Sequence, residues 1–305
     1  MSAQLWVIGA GKGGVGKTFV SSSLGITLSK LNSKILIVDF DLSGANLHTT
    51  FGLLPNKKNI GCYFKGEESL INLIVPTAIP RVSLVQGFWN SWNPADISIE
   101  QTQKLISECK ELPFDYILFD LGAGPALCHL ELFARADERI LVSNSEPTCV
   151  EKNYRLIEAF ICHSLKGSSS PEAYVALENA LMNYRGLEKK GFFSFREYLK
   201  NSCGFSFDFF EALQHKPMRL IINESRSRLD QDLGHSMKSV CHKYYDFAID
   251  YVGAVDFDNA VWQSVKSREP VLIEKPFTPL AGQFLTICKL LTNPNFNANL
   301  YRAVV

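Results

Sequence analysis

The run Gly11-Lys12-Gly13-Gly14-Val15-Gly16-Lys17-Thr18 constrains this chain more than any other feature. It fits G-x-x-x-x-G-K-[ST], and it lies between an apolar segment at residues 5–8 and an amphipathic stretch at residues 17–30. That is the strand-to-helix context in which the pattern binds phosphate. The glycines let the backbone curl so that its N–H groups and the positive end of the helix face an anion. Lys17 would reach the β and γ oxygens of a nucleotide, and the Thr18 hydroxyl would ligate Mg²⁺. A ligand-free glycine-rich turn is the bland alternative, and the agreement of motif and context argues against it.

The rest of the chain repeats this alternation. Short apolar runs at residues 35–38, 82–85, 116–119, 140–142, 220–222 and 251–255 are separated by helical patterns such as 100–111, 148–165 and 229–245. Continuous apolar strands interleaved with helices imply an α/β, doubly wound, mainly parallel sheet flanked by helices, with ligands at the carboxyl ends of the strands. The expectation is one domain over residues 1–305. The alternation lapses only at about 165–216, which reads as a helical insertion. Residues 191–210 within it carry seven of the 21 Phe. They form either a satellite core, the favoured reading, or a docking surface for a partner.

Two strand ends supply acidic groups to the phosphate loop. Asp39 and Asp41 share a face if the strand at 35–38 continues extended, and Asp120 follows the run at 116–119 as the metal-shell carboxylate of a phosphoryl-transfer site. Their bland alternative is capping of strand ends.

These motifs together resemble those of the MinD/ParA ATPases, whose phosphate loop carries a second lysine near its start, as Lys12 is here. Asp39 to Leu47 resembles their first switch and Asp120-Leu121-Gly122-Ala123-Gly124 their second. Glu146-Pro147-Thr148, Ile221-Ile222-Asn223 and residues 252–258 resemble their nucleotide-side segments. The Gly-Ala-Gly switch and Glu-Pro-Thr are most similar to the MinD-like branch that includes the flagellar-number regulators FlhG/FleN. The resemblance spans residues 1–162 and 218–291 and implies a P-loop NTPase fold that binds ATP/ADP with Mg²⁺. It also implies an ATP-bound homodimer in which Lys12 contacts phosphate in the other subunit, Asp41 positions the attacking water and Asn46 supports it. Thr18, Asp39 and Asp120 would serve the metal. Gly11, Gly13, Gly14, Val15, Gly16, Lys17, Thr18 and Phe19 would line the phosphates, with Glu146, Pro147, Asn223, Val255 and Asp256 elsewhere on the nucleotide. Phe19, Leu121 and Val255 depart from the residues usual at their positions, without removing a catalytic group.

Composition narrows partners and place. Lys+Arg and Asp+Glu are both 31, which argues against holding DNA through a broad basic surface. Met1 leads directly to the strand at 5–8 without a signal-peptide pattern, and the charge-free run at residues 82–95 falls short of the roughly 20 apolar residues of a membrane span. A cytoplasmic chain is expected, with peripheral attachment at the inner membrane or cell pole as the alternative. Leu280, Phe284, Ile287, Cys288 and Leu291 make one helical face, but its flanks lack the basic residues of a membrane anchor, so docking on the sheet is expected. The eight Cys are scattered, and three Cys-His dipeptides lack metal-ligand spacing. The functional expectation is an ATP-hydrolysing, dimerising switch with a protein partner or activator, serving the positioning or number control of a cell structure such as the flagellum. The alternative is a nucleotide-dependent module that binds a partner or DNA in chromosome or plasmid partition, with little hydrolysis.

Overall fold

The computed structural model describes residues 2–42, 44–88, 97–166, 175, 216–293 and 296. Eight strands form one sheet in the order β3-β4-β2-β5-β1-β6-β7-β8. They are β1 (Gln4–Ala10), β2 (Ile35–Phe40), β3 (Ile74–Pro76), β4 (Val82–Val85), β5 (Tyr116–Ala123), β6 (Glu138–Ser143), β7 (Met218–Ser225) and β8 (Ile249–Asp256). All neighbouring pairs are parallel except β3 with β4. The antiparallel β3 is three residues long and ends in Pro76, which suits an edge.

Alternation along the strands sends side chains into two cores. Leu5, Val7, Leu36, Val38 and Phe119 meet helices on one face. Trp6, Ile8, Ile35, Ile37 and Leu118 meet α1 (Lys17–Lys30) and the C-terminal helix on the other. Helix α1 is buried nearly all round because its small residues let it lie close to the strands. A methyl group added at Gly25 would stand 2.8 Å from Ile37 Cδ1.

The short α2 (Leu47–Thr50) and α3 (Ile60–Phe64) follow β2, and α4 (Ile99–Glu111) opens on a reciprocal Ser98–Gln101 capping box. Helix α5 (Leu127–Arg135) follows β5, and α6 (Pro147–Lys166) follows β6 with proline at its first position. Beyond β7 and β8 come α7 (Arg228–Val240), α8 (Asn259–Ser267), α9 (Val271–Glu274) and α10 (Pro279–Thr292).

Helix α10 turns the face expected from the sequence, Leu280, Phe284, Ile287, Cys288 and Leu291, into the core beside α1. Among the described residues no helix is long and apolar enough to cross a membrane. Residues 165 and 166 end α6. Apart from Val175, the remainder of the expected insertion lies outside the described residues up to residue 215, including its aromatic-rich part.

Candidate nucleotide site

The phosphate loop leaves β1 against α6. The Gly11 N–H donates to Asn153 Oδ1 at 2.7 Å, and a methyl group at Gly11 would stand 2.1 Å from the Lys152 carbonyl oxygen, so only glycine fits there. At the other end Gly16 adopts φ 85°, a left-handed turn into α1 that glycine takes without strain. Between them Gly13 and Gly14 are exposed on the rim, while Val15 is buried in the core and anchors the loop. Lys17 is buried, and Thr18 and Phe19 follow it, half-buried, on the first turn of the helix.

Acidic residues form the floor. Asp39 of β2 and Asp120 of β5 stand opposite each other in parallel register, and both are buried. Asp120 Oδ1 accepts from Ser21 Oγ at 2.9 Å, whereas Oδ2 is buried with no hydrogen-bond partner among the described residues. Burial raises the Asp120 carboxyl to about 6, against the pull of the Thr18 hydroxyl, Lys17 and Ser21. Burial, and then the neighbouring Asp120, push Asp39 well above the ordinary carboxylate range too. A divalent cation at this floor would relieve both groups, and the orphaned Oδ2 is the atom that fits it.

Asp39 is already occupied. Its oxygens accept from the N–H groups of Asp41 (3.2 Å) and Leu47 (3.0 Å), so this carboxylate staples the two ends of the first switch loop. Both strands run further than the apolar runs suggest, because pairing of Asp39 with Asp120 and of Phe40 with Leu121 extends the ladder. Asp41, just past the end of β2, is half-buried, and its Oδ1 accepts from the Gly44 N–H at 3.0 Å. A methyl group at Gly122 would come within 3.1 Å of that oxygen, so the first switch stands directly over the second. Asn46 is exposed at the start of α2, and its side chain makes no cap bond there.

Lys12 does not point into empty solvent. Its Nζ pairs with Glu146 and also donates to Thr148 Oγ1 at 3.1 Å, at the start of α6. Within one chain, therefore, the first lysine of the loop is held by the segment that carries Glu146 and Pro147.

On the other flank, a cavity of about 570 Å³ opens beside Gly16 and Phe19. Asn223 and Asp256 line it, together with Phe257, which lies in the segment at residues 252–258, and Trp262, which no motif in the sequence marks. Trp262 is 62% exposed, with Lys266 Nζ 3.7 Å from its ring centroid. Asn223 is turned toward the loop and donates to the Val15 carbonyl at 2.9 Å. Asp256 Oδ2 accepts from Gln283 Nε2 at 2.7 Å. Val255 is fully buried in the core and does not line the cavity, because the inward pleat of β8 points it at the helices. Lys12, Lys17, Thr18, Asp39, Asp41 and Asp120 thus converge around the phosphate loop, while Asn223 and Asp256 lie at the adjoining cavity. Among the described residues no three His, Cys, Asp or Glu side chains gather as metal ligands. That suits Mg²⁺, which is commonly held by one or two protein groups plus phosphate oxygens.

Comparison with known proteins agrees with this geometry. The model of the CobQ/CobB/MinD/ParA nucleotide binding domain matches residues 6–271. Over 156 residues the chain is 32% identical to the septum site-determining protein MinD of Synechocystis sp., an alignment that spans 50% of this chain and 58% of that protein. It is 31% identical over 162 residues to the flagellum site-determining protein YlxH of Helicobacter pylori, spanning 50% of this chain and 51% of YlxH. The chain thus spans little more than half the length of these two relatives. With the antiactivator FleN of Pseudomonas aeruginosa, 25% identity extends over 300 residues, 97% of this chain and 89% of FleN. Among solved structures, MinD of Pyrococcus horikoshii complexed with Mg-ADP superposes with a TM-score of 0.65 at 20% identity, covering 96% of this chain and 97% of that one.

Proposed function

The chain belongs to the CobQ/CobB/MinD/ParA nucleotide-binding family, and from that premise we propose that it is an ATP-dependent dimerising switch. Hydrolysis of ATP resets it, in the service of placing a cell structure, such as the flagellum, or controlling its number. The observation that carries this reading is the position of Asp41, over Gly122 and beside a phosphate loop whose floor holds an Asp120 oxygen with no hydrogen-bond partner among the described residues. A site built only to hold nucleotide needs the loop and the floor. It does not need a second carboxylate poised over them.

Lys17 and the loop N–H groups would bind the phosphates, and Thr18 and Asp120 would hold Mg²⁺. Bound there, the ion would neutralise charge on the outer phosphates. Asp41 would accept a hydrogen bond from the attacking water and orient it in line with the bond to be broken, with Asn46 at the far end of the same switch. Asp39 contributes by fixing the ends of that switch. Lys12 would leave Glu146 and Thr148 to reach phosphate in the other subunit, making ATP an adhesive between two copies. The base would enter the cavity beside Phe19, Asn223 and Asp256.

A relative named for septum site determination and another named for flagellum site determination support the positioning role. The partner or activator would be a protein that recognises the closed dimer, in the cytoplasm or at the inner membrane or cell pole. The balanced net charge disfavours DNA. Single-turnover hydrolysis of Mg-ATP by the purified chain tests the reading. Cleavage that is lost in Asp41→Ala while ATP binding persists is the expected result. Binding without cleavage in the unsubstituted chain, with or without cell extract, would leave only a nucleotide-dependent binding module.

A further inference from the structure

His129 has no role in the chemistry above, yet it is 1% exposed on α5 and lies between the two switch segments. Its Nδ1 faces the carbonyl of Gly124 at 3.1 Å, and Gly124 in turn donates its N–H to the Ala10 carbonyl, where β1 enters the phosphate loop. The ring thereby anchors the second switch to the loop. On its other side it meets the first switch. A methyl group at Gly122 would stand 3.3 Å from His129 Cε1 and 3.1 Å from Asp41 Oδ1, so the two side chains share the space over one glycine. The Phe40 ring packs edge-on against the imidazole, with centroids 6.1 Å apart. Nε2 is buried without a hydrogen-bond partner among the described residues.

A buried imidazole whose second nitrogen finds no hydrogen bond of ordinary geometry among the described residues is costly as mere filling, because an apolar side chain of the same size would pack there without that penalty. Burial lowers the His129 pKa, and the nearby Lys17 acts the same way, while the Gly124 carbonyl, Asp41 and the Phe40 carbonyl act against it. A neutral imidazole carries a single N–H, and the Gly124 carbonyl calls for it on Nδ1.

We propose that His129 is a positioning residue for hydrolysis that couples the two switches: it holds the Gly124 carbonyl of the second and walls the space in which Asp41 of the first stands. The part concerning hydrolysis rests on the ATPase reading; the coupling itself does not.

The test uses the full chain and three variants. His129→Leu removes both nitrogens. His129→Asn keeps a donor where Nδ1 stands. His129→Gln places its amide near the position of Nε2 instead. Hydrogen exchange without nucleotide is read at the Gly124 amide and at the Asp41, Gly44 and Leu47 amides, which close the first switch. Expected is faster exchange at both sets in His129→Leu, by about tenfold or more, with His129→Asn close to the unsubstituted chain. Loss of one hydrogen bond worth about 1 kcal/mol corresponds to roughly a fivefold change, and the emptied contact with Asp41 adds to it.

In steady-state turnover of Mg-ATP, His129→Leu is expected to lower kcat by about tenfold with KM unchanged, and His129→Asn to restore most of it. If His129→Leu does not fold, the same contrast is read between His129→Asn, which keeps protection and kcat, and His129→Gln, which loses both. Faster exchange confined to Gly124, with Asp41, Gly44 and Leu47 unchanged, would overturn the coupling. So would a kcat that is equal in all variants. If the unsubstituted chain does not cleave ATP, the ATPase reading fails, and the exchange data still decide whether His129 links the switches.

Discussion

Replacing Asp120 with Asn should stabilise the nucleotide-free protein at alkaline pH and destabilise it in acid. Asp120 is 1% exposed, and burial lifts its carboxyl from the ordinary carboxylate range to about 6. The folded state therefore binds a proton more tightly than the unfolded chain does. Stability contributed by this group is full below about pH 4, falls as the pH rises through about 6, and is then absent. About two pKa units correspond to roughly 3 kcal/mol of penalty at about pH 8. Asparagine removes the charge and still accepts from Ser21, but it puts an amide N–H₂ where the orphaned oxygen stood, at a cost of about 1 kcal/mol. The net gain is about 2 kcal/mol. For a chain of 305 residues, an unfolding entropy of about 2.1 cal/mol/K per residue makes this a rise in Tm of about 3 °C. Asp39 works in the same direction, since Asp120 is one of the causes of its own raised pKa. The assay is thermal unfolding of both proteins without nucleotide or Mg²⁺, at intervals from about pH 4 to 8. A Tm difference that does not change with pH, or a variant less stable at about pH 8, would refute the claim that Asp120 is held ionised at a cost.

Other expectations follow from the same geometry. Lys17→Ala should lose nucleotide binding itself, measured by titration calorimetry, because Lys17 would neutralise phosphate in the bound ground state as well as in the transition state; unchanged affinity would place the site elsewhere. Asn223→Ala removes the donor to the Val15 carbonyl, and a net hydrogen bond of about 1 kcal/mol implies roughly fivefold weaker ATP binding; tighter binding would mean that Asn223 obstructs the cavity. Glu146→Gln frees Lys12 from a partly exposed ion pair, worth about 0–1 kcal/mol per subunit, so ATP-dependent dimerisation should become tighter by up to about 30-fold. Weaker dimerisation would assign Glu146 to the interface instead.

The phosphate loop and the strands of the sheet centre were legible in the sequence because each is locally determined. Glycine spacing specifies the loop, and strands buried on both faces read as unbroken apolar runs such as Ile35 to Val38. Elements set by tertiary pairing were less legible. Strand β5 runs on through Asp120 to Ala123 only because β2 and β1 supply ladder partners there. The edge strand β3 is too short to show a period. Helix α5 begins three residues after the glycine switch and buries His129 and Glu131 among its apolar residues, which blurs its face. Residue types at the site could be read, but their partners could not. Nothing in the spacing of Asp39 and Asp41 foretells that Asp39 spends its oxygens on the backbone of Asp41 and Leu47. Likewise, the Lys12 pairing with Glu146 joins residues 134 positions apart.

Light scattering with Mg-ATP tests the switch most directly, using Asp41→Ala so that the dimer is not consumed by turnover. Asp41→Ala should double in mass with Mg-ATP and remain a monomer with Mg-ADP. Lys12→Ala combined with Asp41→Ala should bind ATP yet stay monomeric, since the cation proposed to cross between subunits is gone. A double variant that dimerises as well as Asp41→Ala alone would remove Lys12 from the interface. An Asp41→Ala protein that binds ATP and never dimerises would contradict the switch itself.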